Sequence, residues 1–264
     1  MAQVRVLILR APGTNCDQET AFAFGQAGAD TEIIHINRLL SEPTLADQYQ
    51  ILCLPGGFSY GDDIAAGRIV AGQIRHHLTE ELQRFREDGK LILGICNGFQ
   101  ILLKSGILLP DEAGKSAPAT LAWNESGYYQ DRWVHVGTDS GSESKCVFLR
   151  GIERMYLPIA HAEGRFVTRD AGTFAALSTG GQLALRYTTA NGATSNDALP
   201  FPDNPNGSQA NVAGVCDSSG RVFGLMPHPE RHIHPTQHPQ WTRLPQREVG
   251  DGFKMFQNAV QYFR

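Results

Sequence analysis

No run of apolar residues in this chain approaches the roughly 20 that a membrane-spanning helix needs, which excludes a helical membrane protein. Charge of one sign is not in excess either, since 23 Lys and Arg face 27 Asp and Glu for a formal net charge of -4. That balance offers no electrostatic ground for nucleic acid or an anionic membrane as partner. Cysteine is sparse: Cys16, Cys53, Cys96, Cys146 and Cys216 are odd in number and form no C-x-x-C pair. Neither a zinc site nor a disulfide framework is indicated, so no metal is expected and a reducing, cytoplasmic setting fits. There is no G-x-x-x-x-G-K-[ST] phosphate loop, no repeat, no low-complexity tract and no clear linker. The opening, Met1-Ala2-Gln3-Val4-Arg5-Val6-Leu7, reads as a strand rather than a signal peptide. A chain of 264 residues with 41% hydrophobic content can build a substantial core, and a single domain over 1–264 is the expectation.

What the chain does have is strand-like apolar runs alternating with helical patterns. Strands are expected at 4–9, 31–36, 50–54 and from Leu91 to Ile95. Helices are expected at 18–27, capped by Thr14 or Asp17, at 44–48, at 74–88 and at 99–104. This alternation predicts an α/β fold with a mostly parallel central sheet and helices on both faces. Later runs at 132–136, 165–168, 183–187, 212–217 and 222–225 predict a mixed β extension. A closing helix carries Phe253, Phe256, Val260 and Phe263, with Asp251 as its expected cap.

In open parallel sheets function gathers in loops at the carboxyl ends of strands. Three unusual loops occupy such positions: 12–17, 55–63 and 94–98. The last is Gly94-Ile95-Cys96-Asn97-Gly98, where an apolar strand stops at a cysteine and a helix-like run follows at once. A sharp strand-to-helix turn would expose the sulfur to the positive end of a helix dipole, which favours a thiolate. Its two flanking glycines weaken regular structure and make sense where backbones must come close. The other cysteines read as small buried hydrophobes, Cys53 most clearly. Cys16 sits in a polar loop, yet a structural role is the favoured reading for it too.

A nucleophile needs a base. Of nine histidines, His228 stands out, between Pro227 and Pro229 and two residues before Glu230. In an extended segment residues two apart project to the same side, so Glu230 can orient the imidazole toward a nucleophile. His232, His234 and His238 read instead as a solvated, proline-broken loop. Attack on an amide also needs donors for the oxyanion. The backbone N–H of Asn97 and that of Gly57, in Pro55-Gly56-Gly57, are natural candidates.

Together, Gly56-Gly57-Phe58-Ser59-Tyr60-Gly61-Asp62-Asp63, Gly94-Ile95-Cys96-Asn97-Gly98-Phe99-Gln100, His161-Ala162-Glu163-Gly164-Arg165-Phe166 and Met226-Pro227-His228-Pro229-Glu230-Arg231 resemble the class I, or triad, glutamine amidotransferases. More narrowly they resemble the glutaminase components of phosphoribosylformylglycinamidine synthases. Pro12-Gly13-Thr14-Asn15-Cys16-Asp17 and Asn206-Gly207-Ser208 fit as well, and the likeness runs from the first strand to the last helix. Ala162 stands where a glycine is common in that family.

The resemblance implies a flavodoxin-like glutaminase fold. It implies that Cys96 attacks the side-chain amide of glutamine, with His228 as base and Glu230 as its orienter, through a glutamyl thioester. Gly57 and Asn97 would form the oxyanion hole, while Gly56, Phe58, Gln100, His161 and Glu163 would bind glutamine. No cofactor is implied for this chain. ATP and magnesium would serve a large partner synthetase, joined by a small bridging subunit, that makes formylglycinamidine ribonucleotide from formylglycinamide ribonucleotide in purine biosynthesis. Two other readings remain open: a free-standing cysteine amidase or peptidase, and a non-catalytic regulatory subunit.

Overall fold

A computed structural model describes residues 3–111, 114–138, 143–193 and 197–264. Three of the four strands in its first half have side chains buried on both faces, the signature of a covered parallel sheet, and the fourth is a partly exposed edge strand. The elements run β1 (Arg5–Arg10), α1 (Asp17–Gln26), β2 (Asp30–His35), the short α2 (Ile36–Ser41), β3 (Ile51–Leu54), α3 (Arg68–His77), α4 (Thr79–Glu87), β4 (Leu91–Ile95) and α5 (Asn97–Ser105). β1 pairs in parallel with both β2 and β3, and β3 pairs in parallel with β4.

From β1 the chain crosses outward to edge strand β2, whereas from β3 it crosses the other way to β4. Right-handed crossovers in opposite directions put α1 on one face and α3 to α5 on the other. α1 packs with the last helix, α7 (Phe253–Gln261), through an edge-on Phe24–Phe256 contact at 4.9 Å. The carboxyl ends of β1 and β3 therefore flank the point where strand order reverses, where such sheets bind ligands.

The second half adds β5 (Ala119–Trp123), β6 (Gln130–Gly137), β7 (Arg154–His161), β8 (Glu163–Thr168), α6 (Ala171–Thr179), β9 (Leu185–Thr188), β10 (Val212–Cys216) and β11 (Val222–Leu225). The sheet order is β2-β1-β3-β4-β11-β10-β9-β6-β7, with β11 parallel to β4 and the strands beyond it antiparallel. β5 and β8 form a separate two-stranded ribbon.

The edge strand β7 curls back toward the centre. Its Pro158 carbonyl accepts the His228 N–H at 2.8 Å, and the Tyr156 N–H donates to Asp251 Oδ2 at 2.8 Å. The edge is thus closed by the segment after β11.

Several sequence expectations are corrected here. The single helix over 74–88 is two helices, because Leu78 takes φ -130° and ψ 5° and buries its side chain between them. Asp251 does not cap α7; Gly252 occupies that position, and the Asp251 carboxylate serves Tyr156 and Arg247 instead. Neither Thr14 nor Asp17 caps α1. Cys16 is the cap residue, Thr14 Oγ1 accepts from the Ala11 N–H at 3.0 Å, and Asp17 is ion-paired with Arg10.

Candidate active site

β4 ends at Ile95 and Cys96 follows at φ 52° and ψ -107°, a conformation an L-residue holds only when its surroundings enforce it. Cys96 donates its N–H to Leu225 O at 2.8 Å, and its carbonyl accepts from Phe99 and Gln100 as α5 begins. The flanking glycines let α5 settle onto the strands. A Cβ on Gly98 would lie 1.8 Å from the Leu54 carbonyl oxygen, and one on Gly94 would lie 2.7 Å from the Gly98 oxygen. Only glycine permits that approach, and it lifts the Cys96 sulfur to the carboxyl edge of the sheet. There the Asn97 N–H, in the first turn of α5, has no acceptor within the helix, and the helix dipole favours negative charge.

His228 follows β11. Its imidazole Nδ1 lies 2.6 Å from Glu230 Oε1, with both side chains almost wholly buried. The route differs from the extended segment read in the sequence: Pro229–Arg231 forms one 3-10 turn, and this turn brings the carboxylate round to the ring. Among the described residues, His228 Nε2 and Glu230 Oε2 have no hydrogen-bond partner. Burial alone would push the imidazole toward its neutral form. The Glu230 carboxylate and the Cys96 sulfur outweigh that and raise its pKa well above the ordinary value.

A small cavity is lined by Asn15, Cys16, Gly57, Phe58, Cys96, Tyr129, Ala160, His228 and Arg231. It lies at the reversal point between β1 and β3. Cys16 N donates to Gly56 O at 3.2 Å and an isolated bridge joins Thr14 to Gly57, so the two loops hold each other. Gly56 has no room for a side chain, since a Cβ would come within 2.8 Å of His228 Cε1 and 3.0 Å of Cys16 Sγ. Gly57, at φ 146°, presents bare backbone to the cavity. Cys96 Sγ lies 3.7 Å from Ala160 O. Phe58 and Tyr129 stack at 6.4 Å and are both exposed at the mouth.

The side chains of other residues singled out in the sequence are set back from this cavity. Asn97 Nδ2 donates to Gln100 Oε1 at 2.9 Å and to Asp62 Oδ1 at 3.2 Å, while Asn97 Oδ1 accepts the Ser59 N–H at 3.3 Å. Gln100 Nε2 donates to the Glu163 carbonyl at 2.6 Å, and the Glu163 carboxylate pairs with Lys104 at 3.5 Å. This network ties the loop after β3 to α5 and to the β7–β8 turn. His161 is buried, with Nδ1 3.1 Å from Asn124 Oδ1 and its ring packed on Gly164. Burial and the nearby His228 charge hold its pKa down to about 3, so it stays neutral.

From the sequence a structural role is the favoured reading for Cys16. It is buried, yet it forms part of the cavity wall: its sulfur lies 4.0 Å from His228 Nδ1 and accepts from Arg231 Nη2 at 3.2 Å. Its position just beyond the first strand, at the reversal point, was the available signal. Tyr129, Ala160 and Asn15 carried no comparable signal. Within the histidine-rich stretch His234 is exposed, as expected of a solvated loop, but His232 is corrected: it is buried against Trp133 and contacts the Tyr156 carbonyl through Nδ1 at 2.7 Å. Wider clefts elsewhere, such as the one between Pro110, Leu177 and Arg221, have no cysteine among the described residues that line them.

The family described as CobB/CobQ-like glutamine amidotransferase domain matches residues 3–263. A protein of Dehalococcoides mccartyi called phosphoribosylformylglycinamidine synthase subunit PurQ is 46% identical over 264 residues, covering 100% of this chain and 99% of its own length. A protein of the same name from Methanococcus maripaludis is 40% identical over 270 residues, covering 98% and 97%. A chain in the structure of PurLQS from Thermotoga maritima superimposes with a TM-score of 0.72 at 31% identity, covering 100% of both chains.

Proposed function

The chain belongs to the CobB/CobQ-like glutamine amidotransferase family, and on that premise we propose that Cys96, His228 and Glu230 are the triad by which it releases ammonia from glutamine. It is the glutaminase component of a phosphoribosylformylglycinamidine synthase, in purine biosynthesis. The observation that carries the triad is the buried 2.6 Å contact between His228 Nδ1 and Glu230 Oε1, which leaves Nε2 free beside the cavity that Cys96 lines.

In this reading the carboxylate holds the proton on Nδ1, so Nε2 accepts the Cys96 proton. The sulfur then attacks the side-chain carbonyl carbon of glutamine. The N–H groups of Asn97 and Gly57 receive the oxyanion. Collapse breaks the C–N bond, and the imidazolium gives its proton to the leaving ammonia. A glutamyl thioester remains. Water, deprotonated by His228, attacks it and releases glutamate and the Cys96 thiol. Gly56 leaves space at the ring, and Phe58 flanks the entrance. Gln100, Glu163 and His161 act on glutamine by holding the loop after β3 and the β7–β8 turn in place.

The ammonia goes to a large synthetase subunit that uses ATP and magnesium, with a small bridging subunit completing the assembly. The match to a PurLQS chain supports such partners. Among the described residues no helix is long and apolar enough to cross a membrane, and a cytoplasmic location fits the free thiols. The test is glutamate release by wild type and Cys96→Ala, with and without a co-purified synthetase. The variant must be inactive, and equal rates would overturn the assignment.

A further inference from the structure

The geometry points to Cys16, His228 and Glu230 as a site for a zinc-class divalent cation that shuts the triad reversibly. Their ligand atoms all lie within 4.8 Å of one another and all three residues are buried. A tetrahedral zinc ion with bonds of about 2.0–2.3 Å wants its ligands roughly 3.3–3.8 Å apart. The 4.0 Å from Cys16 Sγ to His228 Nδ1 is close to that, and the 2.6 Å from Nδ1 to Glu230 Oε1 needs only a small opening. Glu230 Oε2 is buried without a partner among the described residues, so the carboxylate has acceptor capacity that the triad does not use. Sulfur, imidazole nitrogen and one carboxylate oxygen are the donor set zinc prefers.

Binding replaces two protons, the Cys16 thiol proton and the Nδ1 proton, and releases both to water. One position of the ion remains for a water molecule. The group that opposes the ion is Arg231, whose Nη2 donates to Cys16 Sγ at 3.2 Å. Its other partner is Glu19, at 2.7 Å in a partly exposed pair. Such a pair holds the side chain weakly, so the guanidinium can swing outward. With the ion on Nδ1, Glu230 no longer orients a protonated ring, and Nε2 loses its strength as a base. This inhibitory consequence rests on the triad reading; the binding site does not.

The test uses the full-length Cys96→Ala protein, titrated with zinc against a chromogenic chelator and with cobalt(II) as a spectroscopic probe. One ion per chain and a thiolate-to-cobalt charge-transfer band are expected. Adding Cys16→Ala, or Cys16→Ser as the size-matched variant, should abolish the band and weaken zinc at least about tenfold. Adding Arg231→Ala instead should tighten it. Unchanged affinity and band without Cys16 would place the ion elsewhere, for instance on His76 and His77, and overturn the proposal; so would absence of binding. In the wild type, zinc should slow glutamate release and a chelator should restore it. A wild type with no glutaminase activity at all would defeat the triad reading and leave the binding result standing.

Discussion

Gly98 and Leu54 meet where α5 crosses β3 with no space for a methyl group: a Cβ on Gly98 would lie 1.8 Å from the Leu54 carbonyl oxygen. That oxygen belongs to backbone and cannot rotate aside, so Gly98→Ala must push the helix off the sheet. A loss of about 3 kcal/mol or more is expected, at the upper end of overpacking costs. Gly72, inside α3, is the control, because a Cβ there would meet nothing within 4 Å among the described residues. Gly72→Ala should gain about 0.5–1 kcal/mol from helix propensity. Urea unfolding midpoints of the two variants check both signs, and equal effects would defeat the packing argument.

Legibility in the sequence followed locality. The Cys96 turn could be read because Gly94 and Gly98, which permit it, are two residues away on either side. The parallel half could be read because β1, β3 and β4 are buried on both faces and so are continuous apolar runs. β7 could not, because Pro158 looks like a strand breaker. It is tolerated there because β7 is an edge strand, where a missing N–H breaks no ladder bond on the outer side. α6 was hidden for a different reason: only Leu177 of its nine residues is buried, so it has no apolar stripe to betray a period. The place of Cys16 at the reversal point is legible, but its contact with the imidazole is not, because His228 lies 212 residues away in the chain. Only the sheet order brings β1 and β11 loops together.

Cys96 holds an unfavourable backbone conformation, at φ 52° and ψ -107°, and a glycine there would escape most of its cost. Residues kept in such regions carry about 1–3 kcal/mol of strain. Cys96→Gly should therefore be inactive yet unfold at higher urea than Cys96→Ala, which keeps the Cβ and the strain. Equal midpoints for the two variants would mean that the turn is relaxed and that function was not set against stability here.

Glu230 touches His228 without lining the cavity, so its charge should matter to turnover more than to binding. Glu230→Gln keeps an oxygen acceptor of similar shape but removes the negative charge that favours the imidazolium. A fall in kcat of about 10²- to 10⁴-fold is expected, with KM for glutamine nearly unchanged. A variant that raised KM and left kcat alone would show Glu230 to be a substrate contact rather than the orienter of His228.

His228 and His161 should shape stability in opposite pH windows. The His228 pKa is raised well above the ordinary value by Glu230 and Cys96, against the effect of burial. The folded state then holds a proton that the unfolded chain gives up near pH 6.5. The stability this adds is complete below about pH 6.5 and disappears as pH rises through the folded value. His161 is pushed the other way, to about 3, by burial and by the charge of His228. Its contribution is complete above about pH 6.5 and is lost as pH falls toward 3, where the unfolded chain binds a proton that the folded one refuses. Urea midpoints of wild type, His228→Gln and His161→Gln from pH 4 to 9 check both signs. The gap between wild type and His228→Gln should narrow as the medium becomes alkaline. The gap to His161→Gln should narrow as it becomes acid, because the variant has no imidazole there to protonate on unfolding. Comparing trends with pH keeps the test valid even if either glutamine lowers stability throughout by packing poorly. Gaps that stay constant across the range would mean that neither ring changes its proton affinity on folding.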